Sequence, residues 1–307
     1  MATKSSKTKE VRDLEKIIAK QEAMIGRLRD AKIRFPAIKL NKRARAKGTQ
    51  VQVICSDSHG AYQDDEAIKA FLGDLQILRP NRVVHLGDAL DCGGFLSSHE
   101  VLGVVPELDV SFEDDVAAAN SFLDGIQANV PNGTSIDLVE GNHENRINKW
   151  VCKQVLANGR NARYLLNMVG PEKVMNVKKR GIRWVARDKY YDGLNISGTI
   201  KLSPKIVAQH GEGVSGPSAI YRQLGRMGLS VLFGHTHRLG NIYDENLHGS
   251  MVGINTGCLC QRRPVYGLMK TTGWTHGYVV NIVEPGHGFF AFPVPIIKGK
   301  SYLSNLL

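Results

Sequence analysis

Five times in this chain a short apolar, β-branched run stops at a polar cluster flanked by glycine, and this repetition constrains the fold more than any other feature. Residues 51–55 (VQVIC) end in Ser56-Asp57-Ser58-His59-Gly60, residues 82–86 (RVVHL) in Gly87-Asp88, and residues 136–139 in Gly141-Asn142-His143-Glu144. Residues 206–208 end in Gln209-His210-Gly211, and residues 230–233 in Gly234-His235-Thr236-His237. Runs of this kind read as buried strands. Helical periodicity lies between them at 65–78, 113–130 and 147–156; Ala67, Ile68, Phe71, Leu75 and Leu78 mark the first stripe. Strands alternating with helices predict a layered α/β fold with largely parallel central strands. Further β-like segments at 251–255, 277–283 and 289–297 predict a second sheet packed on the first, with helices outside. In open α/β sheets ligands bind at the carboxyl ends of the strands, which is where every cluster sits.

In chain order the clusters are Asp57-x-His59, Gly87-Asp88-x-x-Asp91, Gly141-Asn142-His143-Glu144, His210 and Gly234-His235-x-His237. Imidazole, carboxylate and amide oxygen are ligands for borderline divalent metals, and no thiolate stands among them. Residues i and i+2 leaving a strand point opposite ways unless the backbone turns, and the flanking glycines are expected to permit that turn. The donors are too many for one ion. Two ions sharing one carboxylate use them all, as in two-metal sites for in-line phosphoryl displacement. Taken singly the pieces have ordinary readings: a lone Asp-x-His arises by chance, and His85 or His248 suits packing or the surface.

The ordered set D-x-H, G-D-x-x-D, G-N-H-E, H, G-H-x-H resembles that of the calcineurin-like metallophosphoesterases over residues 51 to about 240. The resemblance implies a four-layer α/β/β/α sandwich with a dinuclear centre. It implies one metal on Asp57, His59 and His237, a second on Asn142, His210 and His235, and Asp88 bridging them. A metal-bridging hydroxide then attacks phosphorus. It further implies that His143 contacts phosphate and protonates the leaving oxygen, with Asp91 holding its proton and Glu144 as the alternative orienter or a supporting partner. Arg146 extends the block to GNHENR, and its fork matches phosphate oxygens; the other reading is a surface salt bridge. Cys92-Gly93-Gly94 and the GHTH ending depart from the phosphoprotein-phosphatase branch, and compact stand-alone enzymes of bacteria and phages are the nearer likeness. Manganese is the first choice of metal, with iron, zinc or nickel as the others.

Charge divides the chain. The net +11 lies almost wholly in residues 1–50, which hold 15 Lys/Arg against 5 Asp/Glu, whereas the rest is balanced at 25 against 24. Residues 1–48 therefore read as a basic helical arm and linker before a phosphoesterase domain at 49–307. The arm suits DNA or RNA, an anionic surface or an acidic partner, or is a solubilising tail. Val11, Leu14, Ile18, Ile25 and Leu28 fall at near-heptad spacing, so residues 10–32 offer a weak contact between copies. Five scattered cysteines make no disulfide framework and suit a reducing, cytoplasmic location. No apolar run reaches the roughly 18 residues of a membrane span, and no signal peptide is expected.

Two segments should shape the substrate. Residues 92–112, with His99, read as a lid beside Asp91. Residues 157–195 mix Arg160, Arg163, Lys173, Lys178, Lys179, Arg180, Arg183, Arg187 and Lys189 with Tyr164, Trp184, Tyr190 and Tyr191, as either a polyanion groove or ordinary charged faces. Arg262-Arg263 adds a further basic point, while Cys258 and Cys260 read as strand residues. The expected function is a metal-dependent phosphodiesterase on nucleic acid or a nucleotide. The alternatives are a phosphomonoesterase, acting on a phosphoprotein or a small ester, and a non-catalytic nucleic-acid-binding scaffold.

Overall fold

The computed structural model describes residues 16, 18–20, 48–92, 110–155, 159–247, 249–263, 272–286 and 288–303. Residues 1–45 and 46–307 form two separate units. Within the first, the described residues 16 and 18–20 are helical; the rest of the expected near-heptad helix, residues 93–109 of the segment 92–112 expected to be a lid, and His248 lie outside the described residues.

The second unit holds two sheets. Strands β1 (Gln50–Cys55), β2 (Arg82–His85), β3 (Ser135–Val139) and β4 (Arg183–Val185) run parallel in that order. On the free side of β1, β10 (Gly277–Glu284) pairs antiparallel, and β11 (Gly288–Pro295) closes the edge. The second sheet is ordered β5 (Thr199–Ser203), β6 (Ile206–Gln209), β7 (Ser230–Phe233), β9 (Gly249–Thr256), β8 (Leu239–Asn246), with β6, β7 and β9 parallel. This corrects one expectation. The last third does not build the second sheet alone: β6 and β7 start it, β8 and β9 complete it, and β10 and β11 return to the first. β1 would otherwise be an uncovered edge, and the antiparallel return pairs it.

Strand alternation decides the layers. Val53 and Val83 point to one face and join Phe71 and Leu75 of α1 (Asp65–Leu78) and Phe122, Leu123 and Ile126 of α2 (Phe112–Ala128). Their neighbours Ile54 and Val84 point the other way and meet Ile206, Ala208, Leu232 and Ile254 between the sheets. In β7 the order continues: Leu232 faces the first sheet, while Val231 packs with Leu224 of α6 (Ala219–Met227). Side chains alternating on a period of two thus divide one chain into helix, sheet, sheet and helix layers. That is the α/β/β/α sandwich implied by the resemblance.

The helices begin where their caps require. Asp64 accepts the Ala67 N–H (2.9 Å) to start α1. Ser111 and Asp114 form a capping box on α2, satisfying two otherwise orphaned donors. The helix α3 (Glu144–Gln154) begins inside the GNHE block. α4 (Gly159–Val169) and the single turn α5 (Pro171–Val174) follow it.

Candidate metal centre

The loops leaving β1, β2 and β3 converge with those leaving β6 and β7. Asp57, His59, Asp88, His235 and His237 all have positive φ, between 53° and 68°. A non-glycine residue in this region is uncommon, and strain of this kind clusters at functional sites. The expected turning role of the flanking glycines holds at Gly60, Gly87 and Gly211, whose φ is also positive (45°, 100° and 105°), and the polar residues share the turn with them. Gly141 and Gly234 serve close approach. A Cβ on Gly141 would strike Asp88, and one on Gly234 would strike Ser56 and Asp57.

All seven expected ligands come together. Donor atoms of Asp57, His59 and Asp88 lie within 4.8 Å of one another, as do those of Asp88, His210 and His235. Asp88 belongs to both groups. His237 Nε2 sits 3.1 Å from Asp57 Oδ1 and 3.1 Å from His59 Nε2. Asn142 Oδ1 sits 2.8 Å from His210 Nε2.

The hydrogen bonds around these groups show what they demand. His59 Nδ1 donates to Asp91 Oδ1 (2.8 Å), so its neutral ring turns a bare Nε2 inward. His210 Nδ1 donates to the Leu86 carbonyl (2.8 Å), so its Nε2 is the nitrogen turned toward Asn142 Oδ1 and, at 3.3 Å, Asp88 Oδ2. Asp57 Oδ2 takes the His235 N–H (2.9 Å) and the Ser56 hydroxyl, but the buried Oδ1 makes no well-formed hydrogen bond and meets two imidazole nitrogens, His237 Nε2 at 3.1 Å and His59 Nε2 at 3.9 Å. Lone pairs crowded on lone pairs require positive charge between them. Protons supply it on His210: burial works to lower its pKa, but the Asp88 and Asp57 carboxylates overcome this and lift it to about 9. Burial and the neighbouring His210 push His235 down to about 4. Burial raises the Asp88 pKa, but the surrounding imidazoles, His210 first, hold this carboxyl well below its usual range. Two divalent cations fit the same demand, and the donor set is of the right chemistry for them.

The four remaining expected residues fall into different places. His143 is 13% exposed at its side chain. Its Nδ1 donates to the Asp91 carbonyl (2.6 Å), with the Asp91 carboxylate at 3.4 Å, and its Nε2 lies 3.8 Å from Asp88. Burial opposes its protonation, but the Asp88 and Asp91 carboxylates raise its pKa. Asp91 therefore orients His59 more closely than His143. Glu144 is fully buried and does not orient His143. Its carboxylate accepts four backbone N–H groups, from Asp88, Ala89, Leu90 and Gly141 (2.7–3.0 Å), clamping the Asp88 loop to the start of α3. Burial and the Asp88 charge push its pKa up to about 7, with the backbone donors working the other way. Arg146 is not a surface ion pair. It donates to the Asp91 carbonyl (3.1 Å) and to His143 Nε2 (3.0 Å).

Three neighbours escaped the sequence reading. Asp115 accepts the N–H groups of Ala61, Asp91 and Cys92 (2.8–3.2 Å) and so binds two site loops to α2. An acid four residues before Ala119, on the apolar face of a helix, was the available signal. Cys260 and Cys258 lie in isolated bridges rather than in strands, and Cys260 Sγ stands 3.7 Å from His237 Nδ1. The ring of Trp274 packs on His237 with centroids 4.0 Å apart. In the 157–195 segment Trp184 and Tyr191 pack against the core, and Arg180, Arg183 and Arg187 pair with Asp124, Asp192 and Glu212. His85 is a packed histidine, taking the Gly87 N–H (3.2 Å) and donating to Ser58 (3.1 Å).

Comparison with known proteins agrees with this arrangement. The chain is 27% identical over 263 residues to the gene 54 protein of Mycobacterium phage D29, covering 81% of this chain and 94% of the relative. Among solved structures it is similar to vacuolar protein sorting 29 of Cryptosporidium parvum, at 13% identity and a TM-score of 0.39, over 82% of this chain and 94% of that one. It is also similar to a metallophosphoesterase of Sphaerobacter thermophilus, at 15% identity and a TM-score of 0.33, over 80% and 88%. Among the described residues no helix is long and apolar enough to cross a membrane. Residues 52–239 match the family model of the calcineurin-like phosphoesterases, and with the five motifs gathered at one place the chain belongs to that family.

Proposed function

We propose that this protein is a dinuclear-metal-dependent phosphodiesterase acting on nucleic acid or a nucleotide. The observation that carries the reading is the inward crowding of acceptors, with Asp57 Oδ1 buried against the His237 and His59 nitrogens and Asp88 common to both donor groups. Asp57, His59 and His237 would hold one ion, Asn142, His210 and His235 the other, and Asp88 both, with manganese the first choice. Two such ions, when bound, supply Lewis acidity toward phosphate oxygens and an activated water for in-line displacement.

The chain's own residues do the rest. Glu144 and Asp115 hold the Asp88 and Asp91 loops in place, so the donors are set before substrate arrives. His143, whose pKa Asp88 and Asp91 raise, can take a proton on Nε2 once Arg146 turns away from it, and gives that proton to the departing oxygen. Arg146 can turn its fork from His143 to a phosphate oxygen, fixing the ester beside the acid. The arm, with 15 basic against 5 acidic residues in the first fifty, favours a polyanionic substrate, and we assign it nucleic acid as its partner. Five free thiols suit a reducing cytoplasm.

A phosphomonoesterase is the second reading, favoured by one observation: Arg146 beside His143 suits a terminal phosphate. Manganese-dependent hydrolysis of bis(p-nitrophenyl) phosphate against p-nitrophenyl phosphate, with a chelator control, separates the two. Preference for the diester is expected. Preference for the monoester transfers the assignment to the second reading, and metal-loaded protein that turns over neither is a non-catalytic scaffold.

A further inference from the structure

Next to His237 a cavity of about 460 Å³ opens, bounded by Arg262, Arg263, Thr272, Trp274, Asp64 and Gln261. We propose that it is a nucleotide subsite, in which Trp274 stacks a base and Arg262 and Arg263 hold the phosphate beside the one being cleaved. The inference rests on the phosphodiesterase reading and deepens it.

Three observations carry it. The first is place: the Trp274 ring packs on His237, so a base against it lies one nucleotide from the candidate metal centre. The second is charge. Among the described residues no carboxylate lies within ion-pair distance of Arg262 or Arg263, and both are exposed, whereas Arg180, Arg183 and Arg187 are each paired with an acid. The acid that lines the cavity is committed elsewhere. Asp64 caps α1 through Oδ1 and turns Oδ2 toward His276, 3.8 Å away. The third is preorganisation. The Thr272 hydroxyl donates to the Arg262 carbonyl (2.8 Å) and accepts the Trp274 N–H (3.2 Å). Arg238 donates to the Thr272 carbonyl (3.1 Å) and packs against Gly273, whose φ is +73° and where a Cβ would strike the guanidinium. A half-buried indole held from behind is a low-entropy stacking platform, and unpaired guanidinium groups beside it match phosphate.

The test is equilibrium binding of a fluorescein-labelled phosphorothioate oligothymidylate of roughly ten nucleotides, which resists cleavage, to full-length metal-loaded protein across a salt series. Trp274→Ala should weaken binding about 10-fold with the salt slope unchanged, and Trp274→Phe should recover most of it. Arg262→Ala/Arg263→Ala should weaken binding and reduce the slope of log Kd against log salt by about 0.7, the value for one phosphate contact on a single strand. Unchanged binding and slope in these variants overturn the subsite, and Trp274→Phe as poor as Trp274→Ala overturns the stacking role. Wild-type turnover of bis(p-nitrophenyl) phosphate reports separately on the reading beneath it. Turnover with unaffected oligonucleotide binding in the variants sinks the subsite alone, and absent turnover with the expected binding losses sinks the phosphodiesterase alone.

Discussion

Around Asp57, His59 and His237 the donors are sealed from solvent, whereas around Asn142, His210 and His235 the amide and one imidazole are half-buried and a cavity of about 150 Å³ borders His210. The sealed half has a carboxylate of its own, Asp57, besides the shared Asp88. The open half has a neutral amide in its place. Behind the histidines the difference repeats: the Asp91 carboxylate orients His59, but a main-chain carbonyl orients His210. A carboxylate behind an imidazole raises its basicity, and an added negative charge deepens the attraction for a cation. The contrast teaches that one centre can contain two unequal holdings, a tight one that anchors and a looser one that faces substrate.

The largest effect should come from the residue common to both halves. Asp88→Asn is expected to lower metal-dependent ester hydrolysis by about 10³-fold or more and leave fewer than two ions per chain by elemental analysis. Full turnover with two ions bound would show that the halves do not share it. His143→Ala removes none of the seven expected ligands. It should retain both ions yet lose about 10²–10⁴-fold on esters with poor leaving groups, and a loss below tenfold removes His143 from the acid role.

Asp91→Asn aims at the inequality itself. It should weaken the sealed half by about 10–100-fold. Graded chelation of the wild type should release the ions in two steps, the open half first, and in Asp91→Asn the steps should merge. One-step release from the wild type breaks the comparison.

The smallest effect concerns the scaffold under the sealed half. Burial disfavours the charged form of His85 and holds its pKa at about 4, below the ordinary 6.5. The fold therefore binds the neutral ring. Its contribution is complete above pH 6.5 and is lost as pH falls toward 4, by up to about 1.4 kcal/mol per pH unit. Urea midpoints should fall across that window in the wild type and fall less in His85→Asn. A wild-type midpoint that stays level shows that His85 is not held neutral.

Much of the scaffold was legible because its strands and helices carry their own periodicity. The α1 and β7 boundaries, 65–78 and 230–233, coincide with expectation, and β1, β2, β3 and β6 each differ by one residue. Two of the elements that escaped have a faint pattern. β4 has three residues with one buried, and β8 is exposed or half-exposed along its length. Such strands exist because a neighbour pairs with them, and strand preference depends on that context. The destination of β10 and β11 was hidden for the same reason.

What the sequence determined by itself was the donor set and its order, since ligand chemistry resides in residue type and strand ends are set by local pattern. Only the tertiary structure decided what each donor does. The ring orientations of His59 and His210, the imidazoles gathered on Asp57 Oδ1 and the four-fold clamp of Glu144 all depend on partners brought in from distant segments. Asp88 and Glu144 are 56 residues apart, and His210 and Leu86 are 124 apart. No local periodicity encodes such pairings; they arise when two sheets close on one core and their loops meet at the same edge.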